Sequence, residues 1–339
     1  MEGRTGTRKI QTSGSGSYYV TLPRVWVERN KIKKGDTIDI VCNGVDLHLI
    51  PPEKDVRKDL EKSLNLKNFS DFSLLERAIV NCYVQGYDVI NIISEKTIPR
   101  ERKDLIKNVV LPKLMGTGIS EESSNILKIR VLIDPTKFPV NDIMKRIFNL
   151  VYSMHKDAIR SLEEIDNELA EDVIGRIGEV DKLYRLMLRQ LMIPTYCKVS
   201  TEMMCTSRRE CFTGAIAARD ISRMAFYAVD IASQVKELKK GVIDKEIMGS
   251  LLKLSNLGME MQEKAIEAFF NNDFRSANDI IEEIDPVRDL DYSIVEKISK
   301  GVADPKTSTA LTIISRDIRR IASYAVAIAD DTQTKSIFE

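Results

Sequence analysis

The stretch RDISRMAFYAVDIA at residues 219–232 returns as RDIRRIASYAVAIA at residues 316–329, identical at ten of fourteen positions. In the first copy Ile221, Met224, Ala225, Ala228 and Ile231 recur at steps of three and four, and so do Ile318, Ile321, Ala322, Ala325 and Ile328 in the second. That spacing makes an apolar stripe on a helix that other helices must cover. The alanines allow close helix approach. Asp220/Arg223 and Asp317/Arg320 fall at i,i+3, the spacing of a helix-surface ion pair. Upstream, Ala158, Ile159, Ala170, Ile174, Ile177, Val180 and Leu183 recur 107 residues later as Ala265, Ile266, Ala277, Ile281, Ile284, Val287 and Leu290. Such a repeat is one supersecondary unit used twice. From Val140 on the residues read as nearly all helix, with three helices of about 20–30 residues in each unit. The expected fold is multidomain and mainly α, ending in tandem three-helix bundles.

The chain has 339 residues, 43% hydrophobic and 30% charged, with zero formal net charge. It is long enough for two or three domains. No apolar run reaches the ~18 residues of a membrane span, so membrane insertion is not expected. The opening MEGRTGTRKI lacks a signal-peptide core, and a cytoplasmic location is expected. Five cysteines do not suggest a disulfide scaffold. Cys197, Cys205 and Cys211 lack Cys-x2-Cys spacing and read as buried or incidental thiols. His48 and His155 are the two histidines and lie far apart, and no serine has a Gly-x-Ser-x-Gly context. No enzyme chemistry and no cofactor are expected. Net zero hides an asymmetry. Residues 1–34 carry eight Lys/Arg against two acids, leaving an excess of six positive charges. A basic end on an acidic remainder points toward nucleic acid or a solvated basic surface.

Within that basic end lies GSGSYYVTLP, residues 14–23. A phosphate-binding loop needs Gly-x4-Gly-Lys-Ser/Thr opening a helix, and here a strand follows with no lysine. The glycines fit a hairpin turn between a strand at 8–12 and the alternating run YYVTL. Tyr18, Val20 and Leu22 face one way, with Tyr19 and Thr21 opposite. Pro23 fits the first position of a short helix over 23–29, where Trp26 is a core anchor. Strands at 37–42 and 45–50 join through Asn43-Gly44, and Pro51-Pro52 ends the unit. Four short strands in about fifty residues expose too much surface to be stable alone. Two copies sharing their hairpins would cover it, so a homodimer is expected, with Tyr18, Val20, Leu22 and Trp26 in its core.

Residues 53–150 mix helix and strand as a small α/β module. Helices are expected over 71–85, ending at Gly86, and over 99–110. Strands are expected over 87–93 and 126–133. Glu121 and Glu122 point to opposite sides of an extended segment and make a poor acid/base pair. A scaffold or dimerisation role is the expectation for this module.

Two resemblances add to this reading. RKIQTSGSGSYYVTLPRVWVERNKIKKGDTIDIVCNGVDLHLIPP resembles the AbrB/SpoVT swapped-hairpin DNA-binding domain over roughly residues 7–52, in the order strand, hairpin, strand ending Leu-Pro, short helix, Lys-Gly-Asp turn and strand pair. The resemblance implies an intertwined dimer holding promoter DNA through Arg8, Lys9 and Arg24. Many members carry a Gly-Arg pair before the second strand; Tyr19 stands in that arginine's place. The helical repeats resemble the PhoU family of phosphate-uptake regulators over roughly residues 145–332. The Arg-Ile/Met-x-x-Tyr-Ala-Val-x-Ile-Ala run of each third helix and the segment EVDKLY at 179–184 carry that likeness. Family members often hold metal clusters through an acidic pair four residues apart in that helix. Here the equivalent places are Ser222 and Phe226, then Arg319 and Ser323, none a carboxylate, so metal sites are expected to be lost. The domain plan is 1–53, an AbrB/SpoVT-like DNA-binding and dimerisation domain; 54–140, an α/β connecting module; and PhoU-like repeats at 141–240 and 241–339. The resemblances imply a DNA-binding transcriptional regulator linked to phosphate uptake, working as a homodimer or higher oligomer with phosphate-transport or signalling proteins as partners. The alternative is an adaptor that regulates a phosphate transporter by protein contact, without DNA.

Overall fold

The computed structural model describes residues 7–12, 14, 16–43, 46–50, 59–134, 137–196, 208–239, 241 and 243–336. The chain divides into two compact units, residues 1–58 and 59–339.

In the first unit, strand β1 (Gln11–Thr12) pairs antiparallel with β2 (Tyr18–Tyr19), in the register Gln11 to Tyr19. Gly16 turns the chain at φ +83°, the left-handed region that glycine enters at little cost. Helix α1 (Arg24–Arg29) follows, then the antiparallel pair β3 (Asp39–Asn43) and β4 (Asp46–Ile50). Two expectations are corrected. The strand in YYVTL spans only its two tyrosines, both of them exposed. Pro23 is the N-cap of α1, with extended ψ 126°, rather than its first residue. Gly44, between β3 and β4, lies outside the described residues, as do Pro51 and Pro52. No described side chain of this unit is buried, and Ile10, Tyr18, Tyr19, Val20, Val25, Ile40 and Leu47 are exposed.

The second unit opens with the α/β module. Strands β5 (Glu61–Asn65), β6 (Val89–Ile93), β7 (Thr117–Glu122) and β8 (Ile126–Val131) form one sheet in the order β5-β6-β8-β7. β5 and β6 are parallel, joined by helix α2 (Phe72–Val84), and the other pairs are antiparallel. Asp71 caps α2 by accepting from the Leu74 amide at 2.8 Å. Leu75, Ile79 and Tyr83 of α2 join Leu64, Ile90, Ile92, Leu127 and Ile129 of the sheet in one buried cluster. Strands β5 and β7 carry no clear alternation and were not expected. The helix expected over 99–110 is α3 (Arg100–Leu105) followed by a π-helical turn over Ile106–Val110. Glu121 pairs with Lys128, and Glu122 with Lys107 and Lys103, so the two carboxylates do diverge.

The repeats follow: α4 (Val140–Glu164), α5 (Asn167–Gly175), α6 (Ile177–Tyr196) and α7 (Arg208–Val235), then α8 (Lys245–Asn271), α9 (Phe274–Glu282), α10 (Ile284–Gly301) and α11 (Pro305–Ser336). Each expected three-helix unit has its middle helix broken in two, at equivalent places. Ile165 and Asn272 end the first helices in the left-handed region, at φ +47° and +54°. Asp166 and Asp273 cap the next helices through two backbone amides each. These partners are again 107 residues apart. The repeats share one core cluster. At their boundary buried His155 of α4 meets its own repeat counterpart, Gln262 of α8, at 2.9 Å to Nδ1. The amide donates, so the imidazole proton sits on Nε2, which points to Ser255 Oγ at 3.2 Å. Helices α7 and α11, the opening stretch and its copy, pack directly on each other. Tyr227 and its counterpart Tyr324 meet ring to ring at 5.8 Å. Counterparts meeting at both places give the pair of repeats a pseudo-twofold relation.

The module is pinned to the first repeat. Arg189 of α6 is 1% exposed, and its Nη1 donates to the carbonyls of Tyr83 (2.9 Å) and Tyr87 (2.7 Å). Its Nη2 pairs with Asp88 at 2.8 Å, and the guanidinium lies over the Tyr83 ring. Gly86, at φ +89°, lets Ile193 of α6 approach: a Cβ there would lie 3.3 Å from the Ile193 side chain.

Candidate functional site

The residues expected on the nucleic-acid side lie in the first unit. Arg8, Lys9 and Arg24 are all exposed. Arg8 reaches the Thr7 carbonyl at 3.0 Å, and Arg24 pairs with Glu28 one helical turn on at 2.7 Å. Tyr18, Tyr19 and Val20 are exposed, while Leu22 and Trp26 are half-buried.

The second place is the face of α7 and α11. Ser222 is buried and returns its hydroxyl to the Ala218 carbonyl at 2.8 Å. Phe226 is exposed beneath the Arg223 guanidinium, 5.7 Å from its ring centre. Ser323 bonds the Arg319 carbonyl at 3.0 Å. Arg319 lies 3.2 Å from Asp291 of α10, a fully buried carboxylate that also accepts from Ser315 and faces Arg316 at 3.5 Å. A guanidinium, a phenyl ring and two back-bonded hydroxyls do not fit a hard cation, which takes carboxylate and carbonyl oxygens. In the second repeat a protein cation already neutralises the buried acid.

The expected i,i+3 pair of the first repeat is corrected, while in the second Arg320 still acts on Asp317. Asp220 takes its ion pair from the adjacent Arg219 at 2.9 Å, because both Asp220 and Asp317 turn into the α7–α11 boundary instead of lying on the surface. Asp331 interacts with Asp220 across that boundary, and Asp317 with Asp230. Burial first, then these like charges, push the carboxyls of both Asp317 and Asp331 up to about 7; Arg320 and Arg219 oppose the rise. Each has an Oδ2 atom with no hydrogen-bond partner. Burial also raises the Tyr227 hydroxyl, with Tyr324 beside it adding to the rise. The sequence carried one signal of this, the Asp repeated in both RDI motifs. Which carboxylate would stand opposite it needed the packing.

The expectation for the cysteines is corrected as well: Cys211 is disulfide-bonded, while Cys42 and Cys82 are free. Cys197 and Cys205 lie outside the described residues. Among the described residues no helix is long and apolar enough to cross a membrane.

The family described as PhoU domain matches residues 144–235 and 251–332, just over half of the chain and one match per repeat. The phosphate-specific transport system accessory protein PhoU homolog 1 of Methanothermobacter thermautotrophicus is 24% identical over 194 residues, covering 56% of this chain and 87% of that protein. The crystal structure of the phosphate transport system regulatory protein PhoU from Streptococcus pneumoniae aligns with a TM-score of 0.51 at 19% identity, over 59% of this chain and 94% of that one. PhoU from Pseudomonas aeruginosa aligns with a TM-score of 0.53 at 16% identity, over 59% and 96%. The helical repeats therefore have the PhoU fold, and the chain belongs to the PhoU domain family.

Proposed function

We propose that this protein regulates phosphate transport by protein contact, its two helical repeats forming the docking body. The carrying observation is that both repeats match the PhoU domain separately, and that the relative covered over 87% of its length is a phosphate-specific transport accessory protein. On the α7–α11 face Ser222, Ser323 and Arg319 are spent on internal bonds and an ion pair, which suits a packed docking body. Titration of the full chain against the soluble subunits of a phosphate-specific transport system, followed by calorimetry, tests this. Saturable binding is the expected result, and its absence at high micromolar protein overturns the reading.

A second reading rests on the first unit. Its basic excess, its exposed Arg8, Lys9 and Arg24, and its hairpin, helix and strand pair suit a swapped-hairpin DNA-binding domain of the AbrB/SpoVT type. Among the described residues the unit leaves seven large apolar side chains exposed, and an apolar surface of that kind suits a contact with another protein surface. A second copy interleaved on Tyr18, Val20, Leu22 and Trp26 would cover them. Promoter DNA is the test ligand. Retardation that weakens steeply with salt is expected, and Arg8→Ala with Arg24→Ala should reduce both the affinity and the salt slope. Unchanged binding in that double variant removes these residues from the interface.

A further inference from the structure

The boundary between the repeats carries carboxyl pairs that no ion-pair partner fully neutralises. Asp317 is 8% exposed and Asp220 3% exposed, both inside the α7–α11 contact. Across it Asp230 faces Asp317 and Asp220 faces Asp331. The Oδ2 atoms of Asp317 and Asp331 have no hydrogen-bond partner. Two like charges at a buried contact repel, and removing either charge relieves the repulsion.

We infer that the α7–α11 boundary is a proton-operated latch: protonated Asp317 and Asp331 close the two repeats on each other, and loss of those protons to water loosens the contact. Around Asp317 stand Asp230 and Tyr227 of α7 and Arg320 of its own helix. Around Asp331 stand Asp220 and Arg219 of α7 and neighbouring Asp330. Asp291 of α10 is held by Arg316 and Arg319, and the charges that act on Asp317 and Asp331 come from α7 and α11. Arg219 is set against both Asp220 and Asp331, so it offsets the repulsion there only in part. Both carboxyls titrate near neutrality, which puts the switching range at about pH 6–8. The Tyr227–Tyr324 contact lies on the same pair of helices and would feel the opening. The latch requires neither DNA nor a transporter, so it stands or falls apart from the proposed function.

The test is thermal unfolding of the full chain in chelator-containing buffer from pH 5.5 to 8.5, with amide hydrogen exchange read on α7 and α11. The melting temperature should fall by about 5 °C across that range in the native protein, and by about 1 °C in the Asp317→Asn/Asp331→Asn variant. Protection in α7 and α11, corrected for the intrinsic exchange rate, should drop about tenfold at the alkaline end in the native protein alone. Should the double variant not fold, Asp230→Asn removes only the more exposed carboxylate facing Asp317 and should lessen the fall, by well under half because burial and the Asp331 site remain. An unchanged pH slope in either variant, or loss of protection elsewhere than α7 and α11, overturns the latch. Recovery of the alkaline melting temperature with millimolar magnesium overturns the proton as its operator.

Discussion

At the scale of single residues, burial converts ordinary side chains into pH-dependent ones. His155 is buried and neutral, its imidazole pushed down to about 4 by desolvation. The unfolded chain takes up that proton near 6.5 and the folded chain does not, so stability present above pH 6.5 is lost as pH falls toward 4. The loss should reach about 3 kcal/mol, and His155→Gln, which copies its counterpart Gln262, should flatten acid unfolding curves over that interval. Asp317 and Asp331 act in the opposite sense. Their folded values lie above the unfolded one, so their contribution is complete below about pH 4 and is lost as pH rises through about 7. Arg189 makes a third prediction. Arg189→Met would take the buried guanidinium from Asp88 and from two carbonyls in a closed site, and denaturant unfolding should show a loss of about 3 kcal/mol.

At the scale of elements, the helix ends are written in local chemistry. Asp166, Asp244 and Asp273 each accept from two backbone amides at the start of α5, α8 and α9. Asp273→Ala should cost about 1 kcal/mol, measured as a shift of the urea midpoint with unchanged slope. The repeated stripes of α7 and α11 were legible because 3.6-residue periodicity reports burial directly: Ile221, Met224, Ala225, Ala228 and Ile231, like their counterparts, are all buried. Strand β5 was not legible, since EKSLN holds one apolar residue that the sheet buries, Leu64. The break between α5 and α6 was hidden for a similar reason. Arg176 interrupts no apolar stripe, yet it closes α5 and ties it to Asp157 of α4 at 2.6 Å.

At the scale of the whole molecule, the two compact units predict separable folding. A chain beginning at residue 59 should keep the helical signal and the melting temperature of the second unit. Circular dichroism and calorimetry would check this; a melting temperature lowered by more than about 5 °C would show that the first unit supports the second. By itself the sequence determined that a helical unit occurs twice and where its apolar faces lie. Those features are local, fixed by residue type and spacing along one helix. Only the tertiary structure decided which side chains meet: His155 with Gln262, Tyr227 with Tyr324, Asp317 opposite Asp230 and Asp331 opposite Asp220. A carboxyl's charge depends on how much water and which charges surround it, and both arrive from helices up to about a hundred residues away in the chain.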